Sequence, residues 1–201
     1  MTGLDLDNDV IIEVFCLITN GDLELVDEDG WGVVVHQSKE RMDQMVEWCT
    51  ETHGGTGLTS AVIASTTTPE QAADELLAYI KKYVPEPRRA LLAGNSVHAD
   101  KAFLRLAPWT KVHDHFNHRI LDVSTIKEAA RRWSPHDVVR RVPTKRLLHK
   151  AKEDILESIE EARFYKENIF QKQAAAAATA TDSERTTTTA ATTTTTKEIK
   201  Q

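Results

Sequence analysis

The chain has 201 residues, of which 40% are hydrophobic and 28% are charged, and its formal net charge at pH 7 is -6. This length suits one globular domain followed by a tail, and the acidic balance argues against a broad basic surface for long nucleic acid. Because the apolar runs are shorter than a membrane span and no secretory leader precedes the first strand, we expect a soluble protein with no membrane partner. The two cysteines, Cys16 and Cys49, lack the spacing of metal ligands, so a reducing, intracellular compartment is expected.

The chain is predicted to begin with antiparallel strands. An apolar strand at residues 10–19 leads into Asn20 and Gly21, a pair that favours a two-residue hairpin because both turn positions adopt positive φ. Further strands are expected at 23–26 and 31–36. The first part of the fold is therefore predicted to be a small sheet.

Two helices are predicted to follow. The apolar spacing over residues 39–50 indicates the first of them. The second begins at Thr68, which has Pro69 at the first helical position and Gln71 at the third, the pattern of a capping box. Pro85 is expected to end this helix.

A buried strand at residues 90–93 is predicted because the run is short and wholly apolar. The turn at 94–96 leads from it into a helix that carries Asp100. A strand, turn and helix in this order are typical of an α/β layer fold.

A long amphipathic helix is predicted to open within residues 147–155. Asp154 lies on the flank of its buried face, whereas Glu153 points towards water. Two residues five apart on a regular helix diverge by about 140°, so His149 can face the same site as Asp154 only from a loop or a loosened first turn. Taken alone, the pair would be an exposed histidine and an ordinary solvated carboxylate.

The chain ends in alanine and threonine repeats with almost no large apolar residue. Such a segment cannot offset its ordering entropy, so residues 172–201 are expected to be a disordered tail that catalysis does not need. The globular domain is predicted to cover residues 1–171.

Three separated motifs, at residues 94–104, 121–128 and 147–155, occur in the order and spacing found in oligoribonucleases. Over residues 1–171 the chain resembles this family of 3′-5′ exonucleases, which use four acidic residues and a histidine. The resemblance implies an α/β fold with a ribonuclease H-like mixed sheet flanked by helices. It also implies an exoribonuclease that degrades short oligoribonucleotides to mononucleotides.

The resemblance assigns the chemistry to three residues. Asp100 and Asp154 are expected to bind metal, and His149 is expected to remove a proton from the attacking water. The reaction would be two-metal phosphodiester hydrolysis with two Mg²⁺ or Mn²⁺ ions per site, because hard cations prefer carboxylate oxygen.

The resemblance also implies a set of substrate contacts and a homodimer. Leu4 would wedge against the bases, Trp48 would belong to the same pocket, and His53 would bind the terminal phosphate. The position of Ser96 in the turn before the Asp100 helix separately predicts that its hydroxyl donates to a phosphate. Arg119 and Ser124 would reach the substrate phosphate in the partner's pocket. The expected ligand is short single-stranded RNA, because stacking on aromatic and apolar side chains reads any base.

The first motif of the family is present only as its tail. The Met-Thr-Gly-Leu run at residues 1–4 follows an Asp-x-Glu pair in the family, so the opening strand and two metal-binding carboxylates are expected to be missing from this chain. A misplaced translation start or a missed upstream exon is the expected cause, and a natural, metal-deficient paralogue is the alternative. Glu13 and the acidic residues of the 5–9 loop are not expected to substitute for the pair.

These observations leave three hypotheses for the chain as written. The first is an exonuclease whose tight metal binding fails, so that it is nearly inactive. The second is a short-RNA or nucleotide-binding paralogue that has lost catalysis, and the third is an α/β scaffold used only for dimer contacts. Residues 1–201 do not distinguish a mitochondrial from a cytoplasmic location.

Overall fold

The computed structural model describes residues 1–145 and 151–171, and within them helices surround two small sheets. The predicted α/β class is confirmed. The strands are β1 (Glu13–Cys16), β2 (Trp31–Val34), β3 (Leu92–Gly94) and β4 (Ile120–Asp122). The α-helices are α1 (Lys39–Met42), α2 (Glu47–Gly55), α3 (Leu58–Ala64), α4 (Pro69–Tyr83), α5 (Val97–Leu104), α6 (Thr110–His115), α7 (Val123–Trp133), α8 (His136–Val139) and α9 (Ala151–Tyr165). None of the helices in the described ranges is long and apolar enough to cross a membrane.

The antiparallel pair β1–β2 begins the fold, with Glu13 opposite Val34. The predicted two-residue hairpin is wrong in detail, because the left-handed residue of this region is Leu23, with φ 67°. The side-chain oxygen of Asn20 accepts from the backbone N–H groups of Asp22 and Glu24 at 2.9 and 3.0 Å. This local capping lets the asparagine side chain organise a longer turn.

The predicted helix over residues 39–50 is divided into α1 and α2. Val46, between them, is extended with ψ 154°. The break allows Met42, Met45 and Cys49 to bury their side chains together with Ile12 in one cluster. Tertiary packing therefore overrides the local helical spacing.

Helix α4 begins where its sequence predicts and lies on the main core. Its buried face presents Ala72, Ala73, Leu76 and Ile80. These side chains share a cluster with buried residues of the first sheet region and of α5 and α6, namely Ile11, Val35, Phe103, Leu104, Trp109 and Val112. The helix therefore joins the two halves of the core.

The parallel pair β3–β4 determines where the polar turns lie. Leu92 pairs with Ile120, and Gly94 pairs with Asp122. Both strands end at the same edge and lead directly into α5 and α7. The strand, turn and helix predicted around Asp100 are present, but the strand is only partly buried rather than buried. The turn after β3 lies beside the start of α7.

Helix α9 returns late in the chain to the first sheet region and continues as a wider π-helical turn, Lys166–Gln171. Three basic side chains of this segment donate to backbone oxygens of the 22–29 loop. These donors are Lys152, Arg163 and Lys166. The predicted opening of this helix, with His149, and the predicted tail at 172–201 lie outside the described residues.

Candidate functional site

A cavity of about 520 Å³ lies between β1, the end of β3, α5 and α9. Its lining is mainly apolar, but four charged side chains reach it. These are Glu13, Asp100, Lys145 and Asp154. Asp100 and Asp154, the two carboxylates predicted to bind metal, thus line one cavity although 54 positions separate them in the sequence.

Two carboxylates at this cavity, Asp100 and Glu13, lie in an environment that disfavours negative charge. Although Asp100 remains exposed, the protein around its carboxylate removes hydration and, together with Asp122, raises its pKa. Burial also raises the pKa of Glu13, and the charges of Asp154 and Glu153 act in the same direction. A cation in the cavity would relieve this repulsion.

The edge formed by β3 and β4 brings two predicted phosphate contacts together. The backbone N–H of Ser96 donates to the side chains of Asp122 and Ser124, at 3.0 Å in each case. The hydroxyl oxygens of Ser96 and Ser124 are 3.3 Å apart. Ser96 has φ 52°, so the turn holds it in the left-handed region. Hydroxyls in this position can donate to a phosphate oxygen.

Ser124 was expected from the family resemblance to act in the partner's pocket, whereas the structure places it beside Ser96 of its own chain. Arg119 is exposed and immediately precedes β4, where its backbone N–H donates to the Asn117 side chain at 2.9 Å. The cross-dimer contact of both residues stays a prediction.

The remaining predicted substrate contacts are Leu4, Trp48 and His53. Leu4 and Trp48 are 72% and 63% exposed, which is unusual for large apolar side chains. The Nε2 atom of His53 lies 3.1 Å from the carbonyl oxygen of Met1, a residue that lines the cavity. His53 is therefore close to the cavity rim. His149 lies in the 146–150 segment, outside the described residues.

The described residues offer ligand atoms of the type that the implied metal prefers, but too few of them lie together to hold an ion. Carboxylate oxygens are the ligands that hard divalent cations prefer, and Asp100 and Asp154 supply them to one cavity. Within residues 1–145 and 151–171, however, no three histidine, cysteine or acidic side chains are close enough to hold an ion together. The described part of the site is incomplete for metal.

Three polar side chains at or near the cavity were not predicted as site residues. Lys145, in the loop after α8, lines the cavity. Glu13, which was not expected to substitute for the Asp-x-Glu pair, also lines the cavity, and a charged residue in an apolar strand is itself an unusual feature. Glu161 is only 1% exposed. It follows Asp154 by seven residues, which places both on one side of α9.

Comparison with known proteins identifies the family. Residues 1–162 match the family model described as Exonuclease. The chain therefore belongs to the exonuclease family, in agreement with the class predicted from its motifs.

Curated relatives narrow the comparison further. The chain is 48% identical over 174 residues to mitochondrial oligoribonuclease of Mus musculus, covering 86% of this chain and 71% of the relative. It is 47% identical to mitochondrial oligoribonuclease of Saccharomyces cerevisiae, covering 84% and 64%. It is 44% identical over 168 residues to oligoribonuclease of Neisseria meningitidis serogroup A, covering 84% and 87%. The resemblance to oligoribonucleases drawn from the motifs is confirmed.

Proposed function

We propose that this chain is a 3′-5′ exoribonuclease that hydrolyses short oligoribonucleotides to mononucleotides. The observation that carries the proposal is that Asp100 and Asp154 line one cavity in a member of the exonuclease family. Relatives that are 44% to 48% identical and carry the name oligoribonuclease support the substrate class. A cavity of about 520 Å³ has the size of a ligand pocket, which suits a short substrate.

Each predicted residue has a separate task in this proposal. Asp100 and Asp154 are the proposed ligands of Mg²⁺ or Mn²⁺, which supply Lewis-acid polarisation of the phosphodiester when bound. His149 accepts a proton from the attacking water, because an imidazole pKa near neutrality suits that transfer.

The other predicted residues hold the substrate. The hydroxyl of Ser96 and the imidazole of His53 donate to phosphate oxygens. Arg119 and Ser124 contact the substrate phosphate in the partner's pocket. Leu4 and Trp48 cover the bases, because flat apolar surfaces accept any base. The pocket thereby binds without reading sequence.

We also propose that the residues of this chain bind divalent metal weakly on their own and that its catalysis is impaired. The support is that no three potential ligands converge within residues 1–145 and 151–171. The same observation favours a second candidate function, a module that binds short RNA without cleaving it. An Asp-x-Glu pair, as found in the family, would supply the carboxylates that the second ion requires.

The test compares this chain with a version extended upstream through Asp-x-Glu. Release of mononucleotide from a 5′-phosphorylated diribonucleotide is measured in Mg²⁺ and in Mn²⁺. We expect the extended chain to turn over, and Asp154→Asn to reduce kcat by at least about 100-fold because a metal ligand is lost. Glu160→Gln, an exposed position on the same helix, is the matched control and should leave kcat unchanged.

The outcomes separate the two candidate functions. Equal activity of the short and extended chains would contradict the proposed impairment. Binding of the dinucleotide without turnover in both forms would contradict the exonuclease proposal and favour the RNA-binding module.

We further propose a homodimer that acts on short single-stranded RNA, on the basis of the motifs shared with the family. The compartment is proposed to be the mitochondrion or the cytoplasm, since relatives of both mitochondrial and bacterial origin match. Residues 172–201, which lie outside the described ranges, are proposed to be dispensable for catalysis because their composition cannot form a core.

A further inference from the structure

A buried carboxylate lies two turns beyond Asp154 on α9. Glu161 is 1% exposed, and four polar side chains surround it. Its Oε1 accepts from the Tyr165 hydroxyl at 3.1 Å and lies 3.3 Å from Lys127 Nζ. Its Oε2 accepts from Asn95 Nδ2 at 3.2 Å and lies 3.5 Å from Lys145 Nζ.

These contacts keep Glu161 ionised. Burial by itself raises the pKa of a carboxyl, but here the Asn95 amide, the nearby lysines and the Tyr165 hydroxyl outweigh that effect and hold the pKa below its ordinary value. A buried anion with these partners is confined to one position, because leaving any of its oxygens unpaired would be costly.

The amide of Asn95 extends the network to the turn after β3. Its Oδ1 accepts from Lys145 Nζ at 2.7 Å, and its Nδ2 also donates to Ser124 Oγ at 3.3 Å. The Lys145 ammonium on one side and the Glu161 carboxylate on the other determine the orientation of the Asn95 amide. A flipped amide would point its N–H donors at Lys145. Asn95 immediately precedes Ser96 and the helix that carries Asp100.

The network therefore joins four parts of the molecule that meet near the cavity. Glu161 belongs to α9, which carries Asp154, and Asn95 belongs to the turn that leads into α5 and Asp100. Lys127 adds α7, and Lys145 adds the loop that lines the cavity. The distance between the carboxylates of Asp100 and Asp154 therefore depends on the position of the buried Glu161 carboxylate.

Stability alone does not account for this arrangement. Removing charges from water is costly, and replacing a buried ion pair by apolar residues of similar volume is often neutral or stabilising. A buried charged network does what apolar packing does not when it holds the packed elements in a single relative position.

We propose that Glu161 is a positioning residue that fixes the β3–α5 turn against α9 and thereby sets the separation of Asp100 and Asp154. The inference rests on the proposed exoribonuclease function. Glu161 touches neither of these carboxylates and acts through Asn95 and Lys145.

The test uses Glu161→Gln, with Glu160→Gln as the matched control on the exposed side of the same helix. Two readouts are combined: steady-state kinetics on the diribonucleotide, in whichever chain form turns over, and hydrogen–deuterium exchange of residues 94–100. We expect Glu161→Gln to lower kcat between about 10-fold and 100-fold with KM changed less than about twofold, because misplacement of reacting groups affects the transition state. Exchange should rise at Ser96, whose backbone N–H is bonded to Asp122 and Ser124.

A second variant keeps the inference testable if the glutamine variant folds poorly. Lys127→Met combined with Glu161→Met removes the carboxylate without leaving Lys127 beside an apolar side chain, while Lys145 keeps its bonds to Asn95 Oδ1 and Ser158 Oγ; its melting temperature shows whether it folds. We expect this pair to retain the low kcat and the raised exchange at 94–100. Wild-type kcat and exchange in either well-folded variant would overturn the inference, and so would raised exchange spread evenly over the whole chain.

The exchange readout does not require turnover. If neither chain form hydrolyses the dinucleotide, the exoribonuclease proposal fails, and exchange at 94–100 still decides whether Glu161 holds the turn. If hydrolysis occurs and Glu161→Gln matches wild type in both readouts, the positioning role fails while the function stands.

Discussion

Asp9 is held by side chains from two other parts of the chain. Its Oδ1 accepts from the Thr2 hydroxyl at 2.8 Å and lies 3.1 Å from the Arg41 guanidinium. Partial burial by itself raises the pKa of this carboxyl, but the backbone N–H of Asp5, Thr2 and Arg41 outweigh it, and the pKa lies below its ordinary value. A carboxyl with a depressed folded-state pKa stabilises the protein above its unfolded pKa, and that contribution disappears as pH falls through the folded pKa.

We predict that Asp9→Asn lowers the free energy of unfolding by about 1 to 2 kcal/mol at pH 7, because charge-assisted hydrogen bonds are lost. The difference from wild type should begin to shrink as the pH falls below about 4, where the carboxyl of the unfolded chain becomes protonated, and should be lost below the lower folded-state pKa. Urea unfolding at pH 7, 5 and 3 measures both effects. Asp7→Asn, an exposed residue of the same loop, is the control, and an equal loss in both variants would contradict the prediction.

The site residues differ in how far the sequence predicts them. Asp100 and Asp154 were found through their motifs, which are local and therefore readable. Glu161 and Lys145 were missed because their roles depend on partners far away in sequence, such as Asn95, which precedes Glu161 by 66 positions. Only the folded structure brings such groups together.

Helix α4 begins with a capping box that the sequence predicts and the structure contains. The Thr68 side chain accepts from the Gln71 backbone N–H at 3.2 Å, and the Gln71 side chain accepts from the Thr68 backbone N–H at 2.9 Å. Pro69 occupies the first helical position, where no backbone donor is needed. The backbone N–H groups of Thr68 and Gln71 are therefore both satisfied.

We predict that Thr68→Ala lowers the free energy of unfolding by about 1 kcal/mol, the usual cost of losing a cap. The loss should appear in global unfolding because α4 packs its apolar face on the main core. Chemical denaturation should show a lower midpoint with an unchanged slope. Thr66→Ala, in the exposed part of the preceding loop, should have little effect, and a similar loss there would count against capping.

Elements were predictable where local signals agree with packing. The start of α4 and the strand, turn and helix around Asp100 carry such signals. At the Asn20 hairpin and in the helix predicted over 39–50, the local signals disagree with the contacts that form. The Asn20 side chain reorganises the turn, and the burial of Met42, Met45 and Cys49 divides the helix. In both places a specific contact outweighs average propensity.

For the whole molecule, the proposed dimer makes Arg119 a residue that serves the neighbouring pocket. Asp154 belongs to the pocket of its own chain. A heterodimer of one Arg119→Ala subunit and one Asp154→Asn subunit then contains one pocket with both groups intact. Two inactive variants should therefore restore each other.

We predict that a 1:1 mixture of the two variants, after subunit exchange, regains about a quarter of wild-type activity, since half of the dimers are mixed and each has one complete pocket. Mononucleotide release from the extended chain measures this recovery. If Arg119 acts within its own chain, the mixture should stay as inactive as the separate variants, and the cross-dimer role would be wrong.

The return of α9 to the 22–29 loop has a consequence for synthesis. Lys152 and Arg163 bond to backbone oxygens that precede them by 123 to 140 positions. Contacts this distant in sequence form slowly and cannot form before both partners leave the ribosome. The nascent polypeptide must therefore emerge almost to Tyr165 before one wall of the pocket exists, so the pocket is completed only late in synthesis.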